Sequence, residues 1–187
     1  GDGTAHQVLN GLMAERSPVA DDLTLAILPI GTGNDWSRSL GVSRNLQQSC
    51  ALIANGCAVP IDVGQVTFLH EDSQVTRYFL NICGAGLDAH VVHTTASLRP
   101  GRWQYFSGLI HGARSFIVPC IDVETPGWRR SAPTLDVLVC NGGFLGGGMR
   151  IAPKARSDDG LFEVIVVDDM SFATIIAHIP QLLFGSL

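Results

Sequence analysis

The sequence predicts a two-part fold: an incomplete α/β domain over residues 1–57, followed by a mostly β domain over residues 58–187. In the first part a helix, a strand, a glycine loop and further helices follow one another, which is the order of a parallel α/β layer. The second part holds runs rich in Val, Ile, Leu and Phe, which predict strands. These runs lie at 62–69, 77–83, 135–141 and 161–168.

The first domain is expected to be incomplete. Its one clear strand cannot form a sheet by itself, and the first residue already belongs to a glycine loop with no strand before it. The sequence therefore predicts a stretch of a longer protein, which lacks the opening strand of the first domain and the C-terminal part of the second.

A helix is expected to begin at Thr4, because residues 4–7, TAHQ, have the pattern of a capping box. The threonine hydroxyl can satisfy a free N–H of the first turn, and Gln7 can reach back to the cap. Apolar side chains then follow at helical spacing and predict one buried face. These are Val8, Leu9, Leu12 and Met13.

Residues 23–30, LTLAILPI, predict a buried strand that ends in the glycine-rich turn 31–35. A short helix should follow through Trp36 to Leu40. A second helix over residues 46–54 is expected to stop at the Asn-Gly pair that follows, which is a common C-terminal signal. In the second domain a helix over 103–117 interrupts the strands, and Ser171 is expected to cap a last helix that runs toward Pro180.

The composition excludes several classes of protein. Hydrophobic residues make up 46% and charged residues 16%, which suits a buried core and does not suit a disordered chain. The net charge of -5 argues against a nucleic-acid partner, because the phosphate backbone binds to a basic face. No apolar run approaches the roughly 18 residues of a membrane span, so we expect a cytoplasmic protein with peripheral membrane contact.

The glycine loop at residues 1–4, GDGT, leads directly into the first helix. Glycines let the backbone approach a phosphate, and the free N–H groups of a helix start favour negative charge. Asp2 repels phosphate unless a cation intervenes, so its presence suggests Mg²⁺ between the carboxylate and the phosphates. Taken singly, the loop is explained equally well by an ordinary strand-to-helix turn.

A second loop at residues 31–35, GTGND, repeats this chemistry. Thr32 offers a hydroxyl, Asn34 an amide and Asp35 a second carboxylate near a helix start. Two such loops at the ends of neighbouring strands would share one crevice, which is where open α/β sheets bind ligands. Neither loop is a Walker A motif, because no G-x-x-x-x-G-K-[ST] occurs in the sequence.

Other candidate sites are weaker. His90 and His93 lie three residues apart on a predicted helix, but without an acidic or cysteine partner an exposed helix face explains them better than a metal site. A basic and aromatic set could face an anionic lipid, although an ordinary amphipathic helix explains it better. The set comprises Arg99, Arg102, Trp103, Tyr105, Phe106 and Arg114.

Four motifs occur in order along nearly the whole chain. They are GDGT with VLNGL at 8–12, LPIGTGNDWSR at 28–38, FLNICGAGLDA at 79–89, and GGGMRIAPKA at 146–155 with DDGLF at 158–162. In these motifs the chain resembles the diacylglycerol kinase catalytic family, which includes bacterial diacylglycerol and YegS-like lipid kinases, sphingosine kinases and ceramide kinase. The resemblance implies a nucleotide-binding α/β domain followed by a β-sandwich-like domain that receives the lipid.

The resemblance also implies the site residues. The nucleotide would be bound by the two loops and the start of the first helix, namely Gly1, Asp2, Gly3, Thr4, Ala5, His6, Gln7, Gly31, Thr32, Gly33, Asn34 and Asp35. A separate Mg²⁺ would be held by the Asp159 carboxylate and by the carbonyls of Arg156 and Leu161. A solvated Asp-Asp-Gly turn is the alternative for that segment.

Two features depart from the family pattern. His6 and Gln7 stand where bacterial members often have Asn-Glu, which leaves the contacts of these two residues open. The general base of the family comes from a D-G-E segment, and no D-G-E occurs in this sequence. We therefore assign no catalytic residue, and this stretch by itself is expected to be inactive.

The intact protein is expected to transfer the γ-phosphoryl group of ATP to a lipid hydroxyl, on a diacylglycerol-like or phosphatidylglycerol-like acceptor. The expected cofactors are ATP and Mg²⁺, and a homodimer is compatible with the sequence. Two alternatives stay open. One is an NAD kinase, which shares the GDGT loop, and the other is a non-catalytic nucleotide-binding fragment.

Overall fold

The computed structural model describes residues 1–14, 24–56, 58–95 and 112–184. The chain divides into two compact units, each made of two stretches of sequence. The first unit comprises residues 1–83 and 140–163, and the second comprises residues 84–139 and 164–187. The predicted domain boundary at residues 57–58 stays a prediction.

The helices are α1 (Asp2–Ala14), α2 (Asp35–Ser39), α3 (Leu46–Asn55), α4 (Leu87–Thr95) and α5 (Phe172–Phe184). The strands are β1 (Gly64–His70), β2 (Ser73–Phe79), β3 (Ile82–Gly86), β4 (Cys120–Thr125), β5 (Trp128–Cys140), β6 (Phe144–Leu145), β7 (Met149–Arg150) and β8 (Glu163–Asp168). The prediction of a mixed α/β fold is confirmed at this level. Among the described residues, no helix has the length and apolar character needed to cross a bilayer.

Helix α1 begins at Asp2, so the prediction that Thr4 caps it is wrong. The carbonyl of Gly1 accepts the first helical hydrogen bond, from the Ala5 N–H at 3.1 Å, and Thr4 already lies inside the first turn. Ala5 and Leu9 form the buried face of the helix, whereas Val8 is 42% exposed. The face differs from the predicted one because the core that it meets, formed by Trp36 and Leu80, lies on the Ala5 side.

Residues 24–30 form no strand, so the predicted strand at 23–30 is wrong over its described part. Leu25 and Ile27 pack against the core of the first unit, but Ile30 is 72% exposed. A strand is defined by its ladder, and none of the described strands hydrogen-bonds to this segment. The pairings of β1 with β2 and of β6 with β7 in this unit are antiparallel.

The two short helices of the first unit confirm the sequence prediction. Helix α2 follows the second glycine loop directly. Helix α3 is capped by Asn45, whose side-chain oxygen accepts hydrogen bonds from the N–H groups of Gln47 and Gln48 at 3.0 and 3.2 Å. It ends one residue later than predicted, with Gly56 as its C-cap.

The second unit is built on a four-stranded sheet in which β5 pairs with β3, β4 and β8. Leu87 and Val91 of α4 pack with Leu135 of β5 in its core. Ser171 caps α5 by accepting a hydrogen bond from the Thr174 N–H at 3.2 Å, as predicted. Strand β4 was not predicted, although its sequence CIDVET alternates apolar and polar residues as a half-buried strand does. The predicted helix at 103–117 lies outside the described residues except for 112–117, of which 112–115 are helical.

Candidate functional site

The two glycine loops of the first unit lie directly against each other. A Cβ atom built on Gly31 would lie 2.5 Å from the Cα of Gly1, and one built on Gly1 would lie 2.9 Å from the Cα of Gly31. No side chain fits at either position, so this close approach requires glycine in both loops. The sequence prediction that the loops share one place in the fold holds for these residues.

The Asp2 carboxylate joins the first loop to the start of α2. Its Oδ1 accepts a hydrogen bond from the Trp36 N–H at 2.9 Å, and its Oδ2 accepts one from the Asp35 N–H at 3.1 Å. Helix α2 has no side-chain cap of its own. Asp2 therefore satisfies N–H groups of α2 that have no partner within that helix.

Asn34 holds the second loop in shape. It adopts a left-handed conformation with φ of 56°, which Asn tolerates better than most residues. Its buried side chain accepts a hydrogen bond from the Gly31 N–H at 2.9 Å and donates one to the Pro29 carbonyl at 3.1 Å. The amide that was predicted to contact a nucleotide is thus used within the loop.

Asp35 is 6% exposed, and both of its carboxylate oxygens have partners. Oδ1 pairs with the Arg38 guanidinium at 2.5 Å, and Oδ2 accepts a hydrogen bond from the Gly147 N–H at 2.7 Å. Burial raises the pKa of Asp35, and the negative charge of Asp2 acts in the same direction. The Gly147 N–H and the Arg38 guanidinium act in the opposite direction.

Through this hydrogen bond Asp35 contacts a third glycine segment, residues 146–148, in which every φ is positive. Arg38 also reaches this segment, because its guanidinium lies 5.5 Å from the centroid of the Phe144 ring and against Gly148. Sequence reasoning quoted the GGG run as part of a motif but gave it no place in the site, and it gave Arg38 no role. The signal was present in the unusual run of three glycines.

The two carboxylates converge on Gly33. The position of a Cβ atom on this glycine would lie 2.9 Å from Asp2 Oδ2 and 3.5 Å from Asp35 Oδ2. Each oxygen accepts a single N–H and keeps a second lone pair. Hard oxygen donors of this kind suit Mg²⁺, so the residues present fit the metal that the sequence predicted.

Of the remaining residues predicted to contact the nucleotide, one is buried and the others are exposed to solvent. Ala5 is buried in the core of the first unit, so its methyl group is not available to a ligand. The exposed ones lie on the first two turns of α1 and in the second loop: Gly3, Thr4, His6, Gln7 and Thr32. The N–H groups of the first turn of a helix have no intrahelical partner and favour an anion. Nucleotide binding by these residues stays a prediction.

The predicted ligands of the second metal lie in one exposed turn. Asp159 Oδ1 accepts a hydrogen bond from the Leu161 N–H at 3.0 Å, and the intervening Gly160 N–H donates to Asp62 Oδ2 at 2.8 Å. The Arg156 side chain pairs with Asp158 at 3.1 Å. No cluster of three or more His, Cys, Asp or Glu side chains occurs among the described residues, so a metal here would depend on carbonyl oxygens. That assignment stays a prediction.

Two asparagines that sequence reasoning missed tie these segments together. Asn141 is fully buried and donates to the carbonyls of Asp62 and Leu80, both at 2.8 Å. Asn81 donates to the Phe144 carbonyl at 2.8 Å and accepts from the Ser39 hydroxyl at 3.2 Å. The signal for Asn141 was the Asn-Gly-Gly sequence that follows a buried strand.

The weaker candidates do not form a site in the described residues. His90 bonds to the Ser115 hydroxyl at 3.1 Å and packs against Phe116, and His93 is exposed. Within the basic and aromatic set, Arg114 lies over the Phe172 ring at 6.0 Å. Residues 99–106 of that set lie outside the described part of the chain.

Comparisons with known proteins show what the chain is similar to. Residues 1–66 match the diacylglycerol kinase catalytic domain, and residues 81–187 match the YegS C-terminal NAD kinase beta sandwich-like domain. The chain is 29% identical to the "Diacylglycerol kinase" of Bacillus subtilis, across 99% of this chain and 58% of that protein. It is also 29% identical to a "Probable lipid kinase YegS-like" of Yersinia enterocolitica, across 88% of this chain and 53% of that protein.

A solved structure gives the same result. The crystal structure of a diacylglycerol kinase from Bacillus anthracis superimposes with a TM-score of 0.65 and 27% identity, covering 96% of this chain and 56% of that one. The chain thus spans a little over half the length of the relatives that it matches. The two glycine loops lie within the catalytic-domain match and the glycine run at 146–148 within the sandwich-domain match, and the chain belongs to the family of diacylglycerol kinases and YegS-like lipid kinases.

Proposed function

We propose that the whole protein transfers the γ-phosphoryl group of ATP to the hydroxyl of a lipid, with diacylglycerol-like or phosphatidylglycerol-like acceptors first in line. The observation that carries this proposal is the convergence of Asp2 and Asp35 on Gly33, beside the free start of α1. Membership of a lipid kinase family supports the type of reaction.

The chemistry needed is positioning and charge neutralisation more than covalent catalysis. The N–H groups at the start of α1 and the glycine backbones of the second loop would approach the phosphates. The carboxylates of Asp2 and Asp35 would hold Mg²⁺, which supplies positive charge to the phosphates when it is bound. We assign no general base to this chain, and a D-G-E segment elsewhere in the whole protein would supply it.

The exposed turn at 156–161 would hold a second Mg²⁺, through the Asp159 carboxylate and the carbonyls of Arg156 and Leu161. In the whole protein, Asp159→Asn is expected to lower kinase activity about tenfold, because one charged ligand is lost. It should also remove part of the Mg²⁺-dependent rise in melting temperature. Asp158→Asn is the matched control, since Asp158 pairs with Arg156 on the surface and should leave both quantities unchanged. Full activity and an unchanged Mg²⁺ response in Asp159→Asn would contradict this second site.

The lipid acceptor implies further properties of the whole protein. We propose a cytoplasmic enzyme that meets its substrate by peripheral contact with the membrane, either as a monomer or as a homodimer. Equilibrium sedimentation measures the assembly, and flotation with vesicles that contain diacylglycerol measures the membrane contact.

The alternative activity is NAD phosphorylation. The GDGT loop and the name of the matching sandwich-like domain are the two observations that favour it. The deciding experiment supplies labelled ATP to the whole protein with a panel of lipids and, separately, with NAD. We expect the label to be transferred to a lipid and not to NAD. Labelled NAD with no labelled lipid would replace the proposal by its rival.

A non-catalytic nucleotide-binding fragment is the remaining alternative for residues 1–187 taken alone. We expect this chain to bind MgATP without turning it over. At a ligand concentration near 100 times Kd, binding should stabilise the folded chain by about 2.7 kcal/mol. If MgATP caused no thermal shift, the proposal of a nucleotide site in residues 1–187 would be wrong.

A further inference from the structure

The second unit contains a pair of acidic side chains that the proposed phosphoryl transfer does not use. Asp136 lies in β5 and is 8% exposed, and Asp88 lies in the first turn of α4. Both pack on glycines of β3. A Cβ atom on Gly84 would collide with the Asp88 carboxyl group, and one on Gly86 would lie 2.9 Å from Asp136 Oδ1. The glycines leave the space that the two carboxyl groups occupy.

The hydrogen bonds of Asp136 are incomplete if both of its oxygens are unprotonated. Oδ2 accepts a hydrogen bond from the Asp88 N–H at 3.0 Å, which attaches β5 to the start of α4. Oδ1 is buried and forms no hydrogen bond of good geometry with the described residues, although the Val137 N–H lies close enough to the carboxyl group to act against the rise of its pKa. The Asp88 carboxyl group lies within hydrogen-bonding reach of the Asp136 carboxyl group, and a carboxylate has no proton to donate.

Among the described residues, no Lys, Arg or His side chain acts on the pKa of Asp136 or Asp88. In α4, His90 bonds to Ser115, and His93 is exposed. In β5, Arg129 pairs with Glu124 and Arg130 pairs with Asp168. Two like charges in contact and without a counter-charge cannot both persist at neutral pH.

We propose that Asp136 and Asp88 share one proton, carried on Asp136 Oδ1 and donated in a hydrogen bond to the Asp88 carboxylate. The proton gives Oδ1 its missing partner and removes one of the two charges. Its release to solvent would leave two carboxylates in contact across β5 and α4. The attachment of β5 to α4 through this pair is therefore sensitive to pH. This proposal is independent of the proposed kinase activity.

The sign of the pH effect follows from the pKa. Burial, and after it the negative charge of Asp88, raises the pKa of Asp136 from 3.8 to about 8. The folded chain therefore keeps a proton that the unfolded chain has already released. The stability contributed by this proton is full below pH 3.8, declines as the pH rises, and is lost above about 8.

The direct test is carbon-detected NMR of the whole protein labelled with ¹³C-aspartate, with Asp136 assigned through its own backbone. The Asp136 carboxyl resonance is expected to be that of a protonated acid at pH 6 and to move to the carboxylate position near pH 8. A carboxylate resonance for Asp136 at pH 6 would overturn the proposal, and this measurement does not depend on any variant being able to fold.

Melting curves give a second test. Asp136→Asn keeps the shape of the side chain, and its amide can donate to Asp88 at every pH. We expect its melting temperature to match that of the wild type at pH 6 and to exceed it by about 5 °C at pH 9. Asp122→Asn, on the exposed side of β4, should follow the wild type at both values. Parallel profiles for Asp136→Asn and the wild type would also overturn the proposal.

Discussion

Asp35→Ala is expected to lower the free energy of unfolding by about 3 kcal/mol and to reduce kinase activity in the whole protein at least about 100-fold. The substitution leaves the partly buried Arg38 guanidinium and the Gly147 N–H without their carboxylate partner. The glycine segment at 146–148 then loses a connection to α2. Urea unfolding and phosphoryl transfer from labelled ATP measure the two effects.

Asp122→Ala is the control for this prediction, because Asp122 is an exposed aspartate in β4. A double-mutant cycle with Arg38→Met separates the ion pair from the contact with Gly147. We expect a coupling energy of about 0.5–3 kcal/mol between Asp35 and Arg38. Unchanged stability in Asp35→Ala would show that these hydrogen bonds do not hold the loop in solution.

Asp2→Asn is expected to reduce kinase activity at least about 100-fold while destabilising the fold by only about 1 kcal/mol. An asparagine oxygen can still accept one of the two N–H groups at the start of α2, but the amide nitrogen cannot accept the other. The charge that would hold Mg²⁺ next to Asp35 is also lost. The activity loss should therefore exceed what the stability loss explains.

The measurement for Asp2→Asn is kcat and the Mg²⁺ concentration at half-maximal rate, with unfolding followed in parallel. Asp72→Asn is the matched control. Asp72 lies in the β1–β2 turn with φ of 62°, a conformation that asparagine accepts readily. It should change neither quantity. An Asp2→Asn enzyme with normal kcat and normal Mg²⁺ dependence would exclude Asp2 from the metal and nucleotide site.

Several features of the fold could be predicted from local sequence because their causes are local. Ser171 caps its helix through the N–H group three residues away, and the sequence predicted this cap directly. The composition of the two acidic glycine loops likewise predicted where the candidate site would lie. The prediction that the two loops lie close together came from the order of the elements along the chain. The close approach of Gly1 to Gly31 agrees with that prediction.

Other features depend on partners far away in the chain, which local patterns do not reveal. Residues 24–30 have the composition of a buried strand, but none of the described strands pairs with them. Thr4 has the sequence of a helix cap, but Gly1 supplies the first carbonyl and the helix begins earlier. Strand β5 extends seven residues before its predicted start at 135, because its polar first half pairs with β4.

The sequence by itself determined the family, the two acidic loops and the bounds of α2 and α3 to within one residue, since these depend on residue types at short and fixed spacings. Only the tertiary structure decided what the carboxylates do. Asp2 caps a helix 33 residues away, Asp35 binds the Gly147 N–H 112 residues away, and Asp136 meets Asp88 across 48 residues. A carboxylate takes its charge and its role from the donors around it, and in this protein those donors come from distant segments that folding brings together.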